Sequence, residues 1–166
     1  MLMNKEQVLN FMPHRPPFLF IDTVSKVDIA ETAQGKEVVT SKDLVGSLVI
    51  ANFTVREDLE ILKGHFPGNP ILPGVVQVEM MAQASAFVSL GLNGVSNDEF
   101  KVETLLLGVE SSKFRKPVLP GMELEIHAKM DKSRGPIAHY KCEIYCDGVK
   151  ISEAKILAKL DISKRK

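Results

Sequence analysis

Residues 64–91 read GHFPGNPILPGVVQVEMMAQASAFVSLG, and this stretch decides the fold. Its opening, Gly64 to Gly74, carries Gly64, Gly68 and Gly74 together with Pro67, Pro70 and Pro73. Proline locks φ, and glycine takes up backbone angles that other residues avoid. Their density predicts a fixed, irregular loop rather than a helix or a central strand. From Gly74 to Leu90 there is no proline and no internal glycine, and Val, Met and Ala dominate. That run predicts a helix about 25 Å long, closed by Gly91. It is apolar on nearly every side, which predicts burial. It is too short, and too often interrupted by polar groups, for a membrane span. Glu79 is its only charged residue. A buried carboxyl is costly unless paired or protonated. Gln83 lies four positions on, one turn away on the same face, where it can hydrogen-bond the carboxyl. His65, in the preceding loop, is a second candidate partner.

The rest of the chain frames this element. A length of 166 residues predicts one domain over residues 1–166, and 45% hydrophobic content is enough for a core. Lys plus Arg is 21 and Asp plus Glu is 21, so the balance is neutral and argues against nucleic-acid binding. No apolar leader with a cleavage site opens the sequence, which predicts a cytoplasmic protein. Cys142 and Cys146 sit four apart in a strand pattern, too far for a disulfide, and predict free thiols. Asn4 and Gln7 form a capping-box pattern for a short helix to about Phe11. Strands are expected over Phe18–Val24, Gly35–Thr40 and Ser47–Phe53, with a turn or an insertion over Ser41–Gly46. A second capping-box pattern at Thr54–Glu57 predicts a short helix over Arg56–Leu62. A polar connection, Asn93–Glu99, follows the central helix. Strands are then expected over Thr104–Lys113, Met122–Asp131, Ile137–Cys146 and Lys150–Asp161. Their turns are Pro120-Gly121, Arg134-Gly135-Pro136 and Asp147-Gly148. Four long consecutive strands after one buried helix predict an α+β fold, an antiparallel sheet wrapped round that helix.

GHFPGNPILPGVVQVEMMAQ, MPHRPPFLFID over Met12–Asp22 and KFRKPVLPG over Lys113–Gly121 together resemble the FabZ family of (3R)-hydroxyacyl-acyl-carrier-protein dehydratases. The resemblance holds in content and in order over most of the chain. It implies the hotdog fold and a cis His65–Phe66 peptide. It also implies formation of trans-2-enoyl-acyl-carrier-protein in fatty-acid biosynthesis, with no metal and no organic cofactor. Acyl carrier protein, an acidic partner, would deliver the substrate, and Lys113, Arg115 and Lys116 are the candidate basic residues for it. The family's active sites lie at a dimer interface, pairing the His of one subunit with the Glu of the other. A homodimer or a trimer of dimers is therefore expected.

Dehydration of a 3-hydroxyacyl thioester needs a base at C2, an acid at the C3 hydroxyl and a donor for the thioester oxygen. His65 suits the base, because imidazole titrates near neutrality. Glu79 suits the acid, because an apolar setting favours the protonated carboxyl. Gly74 opens the helix, where its N–H lacks an intrahelical acceptor and can meet the carbonyl oxygen. The family's catalytic His and Glu and its carbonyl-binding Gly fall on these three positions, and Gln83 matches the residue that steadies the carboxyl. His14 reads as a structural residue of its Pro-rich turn, able also to line the site, while His127 and His139 receive no role. Family members commonly carry a Tyr that gates the acyl tunnel ahead of KFRKPV. Leu105, Leu106 and Leu107 stand in that region here, so no tyrosine gate is expected. Glu79 in place of the Asp of a related dehydratase-isomerase family favours dehydration without isomerisation. The alternatives are a hotdog acyl-thioesterase, which explains Glu79 but not His65, and a non-catalytic acyl-binding module, which explains neither.

Overall fold

The computed structural model describes residues 1–36, 39–91 and 100–164. Asn4 caps helix α1 (Lys5–Phe11), and the reciprocal capping box with Gln7 is formed. After β1 (Thr23–Asp28), β2 (Leu48–Thr54) and the short α2 (Glu60–Gly64) comes the central helix α3 (Gly74–Ala86). Pro73 stands at its N-cap, where a missing N–H costs nothing. The chain then tightens into a 3-10 turn over Phe87–Gly91. The expected helix to Leu90 is therefore α-helical only to Ala86, roughly 20 Å long. Two serines explain the change. The hydroxyls of Ser85 and Ser89 donate back to the carbonyls of Ala82 and Ala86, and such bonds compete with the helical ladder. Phe87, at the junction, stacks on Phe11 of α1 with ring centroids 4.7 Å apart.

Every residue from Val76 to Ala86 except Glu79 is buried. Val75 departs from the expected all-round burial, at 77% exposed.

The sheet holds β1, β2, β3 (Phe100–Phe114), β4 (Glu123–Arg134), β5 (Ile137–Cys146) and β6 (Val149–Lys164). All paired neighbours are antiparallel, in the order β1-β2-β4-β5-β6-β3. The β2–α3–β3 connection thus carries the chain from one side of the sheet to its far edge. Helix α3 packs against β2, β3, β4, β5 and β6, the hotdog arrangement. Alternation supplies the core beneath it: Leu124, Ile126, Ala128 and Met130 from β4, then Ala138, Tyr140, Cys142 and Ile144 from β5, are all buried. At the β5–β6 hairpin Asp147 and Gly148 both take positive φ, 49° and 72°. That matches the twist of the flanking strands and accounts for the Asp-Gly signal. Cys142 and Cys146 are free and buried, and burial pushes the Cys142 thiol well above its ordinary range.

The N-terminal third departs from expectation for tertiary reasons. No strand begins at Phe18. The Gln83 side chain takes up the backbone there, accepting from Phe20 N at 2.9 Å and donating to Phe18 O at 3.0 Å. The ladder starts only after Asp22, whose N–H reaches Asn52 O. Thr54 is no helix cap. It ends β2, and its N–H goes to the Asp22 carboxylate, which Arg56 also grips at 2.9 Å and 3.0 Å. Helix α2 accordingly starts later than expected, at Glu60, without a side-chain cap. Over Gly35–Thr40 the described residues form no strand. Thr40 instead closes a turn on Asp43, which accepts from its N–H and hydroxyl. Glu37, Val38 and the Asn93–Glu99 connection lie outside the described residues.

Candidate active site

The Gly–Pro loop folds as an irregular loop, with the His65–Phe66 peptide cis, as the resemblance implies. Phe66 and Asn69 exchange both backbone hydrogen bonds, at 3.1 Å and 2.9 Å, and Ile71 N donates to His65 O at 2.8 Å. These bonds fold the loop back on itself and present the His65 ring. Its Nδ1 lies 2.8 Å from Ile71 O. A carbonyl can only accept, so the neutral ring carries its hydrogen on Nδ1, and Nε2 keeps a free lone pair. The ring is partly buried and stacks on Phe66 at 3.9 Å.

His65 opens onto a cleft of about 330 Å³ lined also by Leu72, Gly74, Gln77, Phe114, Arg115 and Lys116. Gly74 begins α3, and no side chain caps the helix start. Its N–H therefore points, free, from the positive end of the helix. A Cβ on Gly74 would stand 2.8 Å from the Phe114 ring. Glycine is needed for that ring to lie against the helix start.

Glu79 is not part of this cleft. Gln77, which is, precedes it by two residues, and two helical steps turn a side chain by about 200°. Glu79 thus faces the other way, toward the Pro-rich N-terminal loop, with its side chain 21% exposed. Gln83 Nε2 donates to its Oε1 at 2.9 Å, so the expected partnership is present. Gln83 is buried and simultaneously holds Phe18 and Phe20. One amide thereby fixes both the carboxyl and the loop over it. His14 also comes to Glu79, its Nε2 3.5 Å from Oε1. The sequence reads His14 as a structural turn residue able also to line the site, and the structure places it beside the carboxyl. The only signal for it was its place in the stretch Met12–Asp22.

The other two histidines lie apart from the site. His127 pairs with Glu125 at 2.6 Å, and His139 lies 3.5 Å from Glu110. Met80 and Met81 are fully buried in the core. Among the described residues no group of His, Cys, Asp and Glu is placed to hold a metal ion, and no helix is long and apolar enough to cross a membrane.

A long helix wrapped by an antiparallel sheet, with an imidazole in the loop before it and a carboxyl upon it, is the arrangement the resemblance to the dehydratases implies. Known proteins agree. The ApeI-like family, described as ApeI dehydratase, matches residues 41–155. A 3-hydroxyacyl-[acyl-carrier-protein] dehydratase FabZ from Wolbachia sp. subsp. Brugia malayi is 37% identical, covering 96% of this chain and 98% of its own. The FabZ of Brucella ovis is 36% identical over 95% and 88%, and that of Bartonella quintana 35% over 92% and 86%. The chain belongs to the FabZ family of 3-hydroxyacyl-[acyl-carrier-protein] dehydratases. Among solved structures, the dehydratase heterocomplex ApeI:P from Xenorhabdus doucetiae superposes with TM-score 0.67 at 20% identity, over 93% of this chain and 90% of that one. The fluoroacetyl-CoA thioesterase FlK superposes with TM-score 0.56 at 12% identity, over 70% and 87%, and shares the fold.

Proposed function

We propose that the protein removes water from (3R)-hydroxyacyl chains on acyl carrier protein, giving trans-2-enoyl chains in fatty-acid biosynthesis. The carrying observation is the fixed tautomer of His65 beside the open start of α3. His65 Nε2 takes the C2 proton, while the Gly74 N–H meets the thioester oxygen as negative charge grows there. Glu79 gives its proton to the C3 hydroxyl. The C3–O bond breaks, water leaves with the bonding pair, and the pair freed from C2–H becomes the C2–C3 double bond.

Two subunits complete each site. Within one protomer α3 turns Glu79 away from the His65 cleft, so the acid opposite His65 comes from a second copy. The outer edge of β3 supports such a copy. Leu106 and Val109 lie opposite the buried Ala158 and Ile156 of β6, hence on the helix side of the sheet. Both are nevertheless exposed, as are Phe114, Phe66 and Val75. An apolar strip beside a long unpaired strand edge is covered in a stable protein. Antiparallel pairing of two such edges is the two-fold solution. Arg115 and Lys116 line the cleft and favour an acidic carrier, although Arg115 also grips Glu153 at 2.7 Å.

Crotonyl-acyl-carrier-protein tests the reaction in its reverse direction. The enoyl absorbance should fall while the thiol stays acylated. Release of free thiol would mean a thioesterase, and an unchanged spectrum with bound ligand would mean a binding module. Either result contradicts the proposal.

A further inference from the structure

One polar contact at Glu79 goes beyond the acid, the base and the glutamine. His14 sits in the loop between Pro13 and Pro16, its ring 6.5 Å from that of Phe18 and within 21° of parallel. Its Nδ1 is buried with no hydrogen-bond partner. A hydrogen there would be a buried donor without an acceptor, so the neutral ring carries its hydrogen on Nε2. That nitrogen is the one 3.5 Å from Glu79 Oε1. Gln83 Nε2 already donates to the same oxygen, at 2.9 Å. Gln83 thus holds Oε1 by a hydrogen bond, the His14 nitrogen faces the same oxygen from just beyond bonding distance, and among the described residues none donates to Oε2. The longer contact is of the kind that tightens when substrate fills a site.

An un-ionised carboxyl has one oxygen that carries the proton and one that only accepts. With Gln83 donating to Oε1 and the His14 N–H facing that same oxygen, the proton belongs on Oε2. We propose that His14 is a positioning residue for the dehydration: with Gln83 it holds Oε1 as the accepting oxygen, so that Oε2 delivers the proton to the departing hydroxyl. When Oε2 gives up that proton, the new negative charge spreads to Oε1, where the Gln83 bond strengthens and the His14 N–H closes to bonding distance. His14 has this role only if the protein is the dehydratase proposed above.

The test places His14→Leu, His14→Asn and His14→Gln in the parent and in a Glu79→Gln background. It measures kcat, KM and melting temperature. In the parent, His14→Leu should lower kcat by about 10- to 100-fold with KM little changed. His14→Asn puts its amide where Nδ1 was, short of Oε1, and should lose the same; it also serves if the Leu variant fails to fold. His14→Gln puts an N–H near the former Nε2 and should recover most of the turnover. In the Glu79→Gln background there is no acid left to orient, so His14→Asn should cost nothing further. An unchanged kcat in folded His14→Asn overturns the inference. So does an equal loss in both backgrounds, which marks a purely structural residue. An active parent indifferent to His14 overturns this role alone, whereas a parent without dehydratase activity overturns the functional reading as well.

Discussion

Glu79→Gln should leave the protein folded and cut its turnover by about 10²–10⁴-fold, the usual worth of a general acid. The amide has nearly the shape of the carboxyl, and its oxygen can still accept from Gln83 Nε2, 2.9 Å away in the parent. What disappears is the proton for the leaving hydroxyl, and the loss should therefore fall on kcat rather than KM. Glu79→Asp keeps an acid but withdraws it by about 1.5 Å, and a misplacement of that order costs roughly 100-fold. If Glu79 merely satisfied a polar cluster, Glu79→Gln would lower the melting temperature and leave turnover per folded molecule intact. Both quantities are read on one sample, and full turnover in folded Glu79→Gln protein rules out the acid.

His65→Ala should abolish proton removal at C2. The ring is anchored at Nδ1 by Ile71 O, so no other nitrogen stands ready at the position of Nε2. Turnover should fall by at least the 10²–10⁴-fold typical of a lost general base. Exchange of the C2 hydrogen with deuterated water, followed by mass spectrometry on bound acyl chains, should stop altogether. The two variants then differ in kind, since Glu79→Gln keeps the base and should retain some of that exchange. Undiminished exchange in His65→Ala protein would remove His65 from the chemistry.

The sequence announces its local rules well. Pro73-Gly74 marks the start of α3, Asp147-Gly148 marks the last hairpin, and Asn4 with Gln7 marks the first helix, because each effect is settled within a few residues. The predicted bounds of β5, Ile137–Cys146, match the structure because that strand alternates cleanly between two hairpin turns. Errors fall where a distant group competes for the backbone. Phe18 and Phe20 look like strand residues, yet their polar groups are claimed by Gln83, more than sixty positions away. Thr54 looks like a cap, yet Asp22 holds its N–H.

At the site, the His65 and Glu79 types and their spacing were legible, and so was the tie from Gln83 to the carboxyl. The approach of His14 to Glu79 was not, because nothing local brings residue 14 to residue 79. The separation of His65 from Glu79 on α3 depends on which helix face the cleft occupies. Periodicity alone leaves that face undetermined until the sheet is placed.

The shared site can be tested directly by mixing two inactive proteins, His65→Ala and Glu79→Gln, under conditions where subunits exchange. Each mixed dimer would hold one intact pair, His65 from one chain and Glu79 from the other. With random exchange of equal amounts, about a quarter of the sites would be whole and about a quarter of parental activity should return. Proven subunit exchange with no return of activity would contradict the two-subunit dehydratase site.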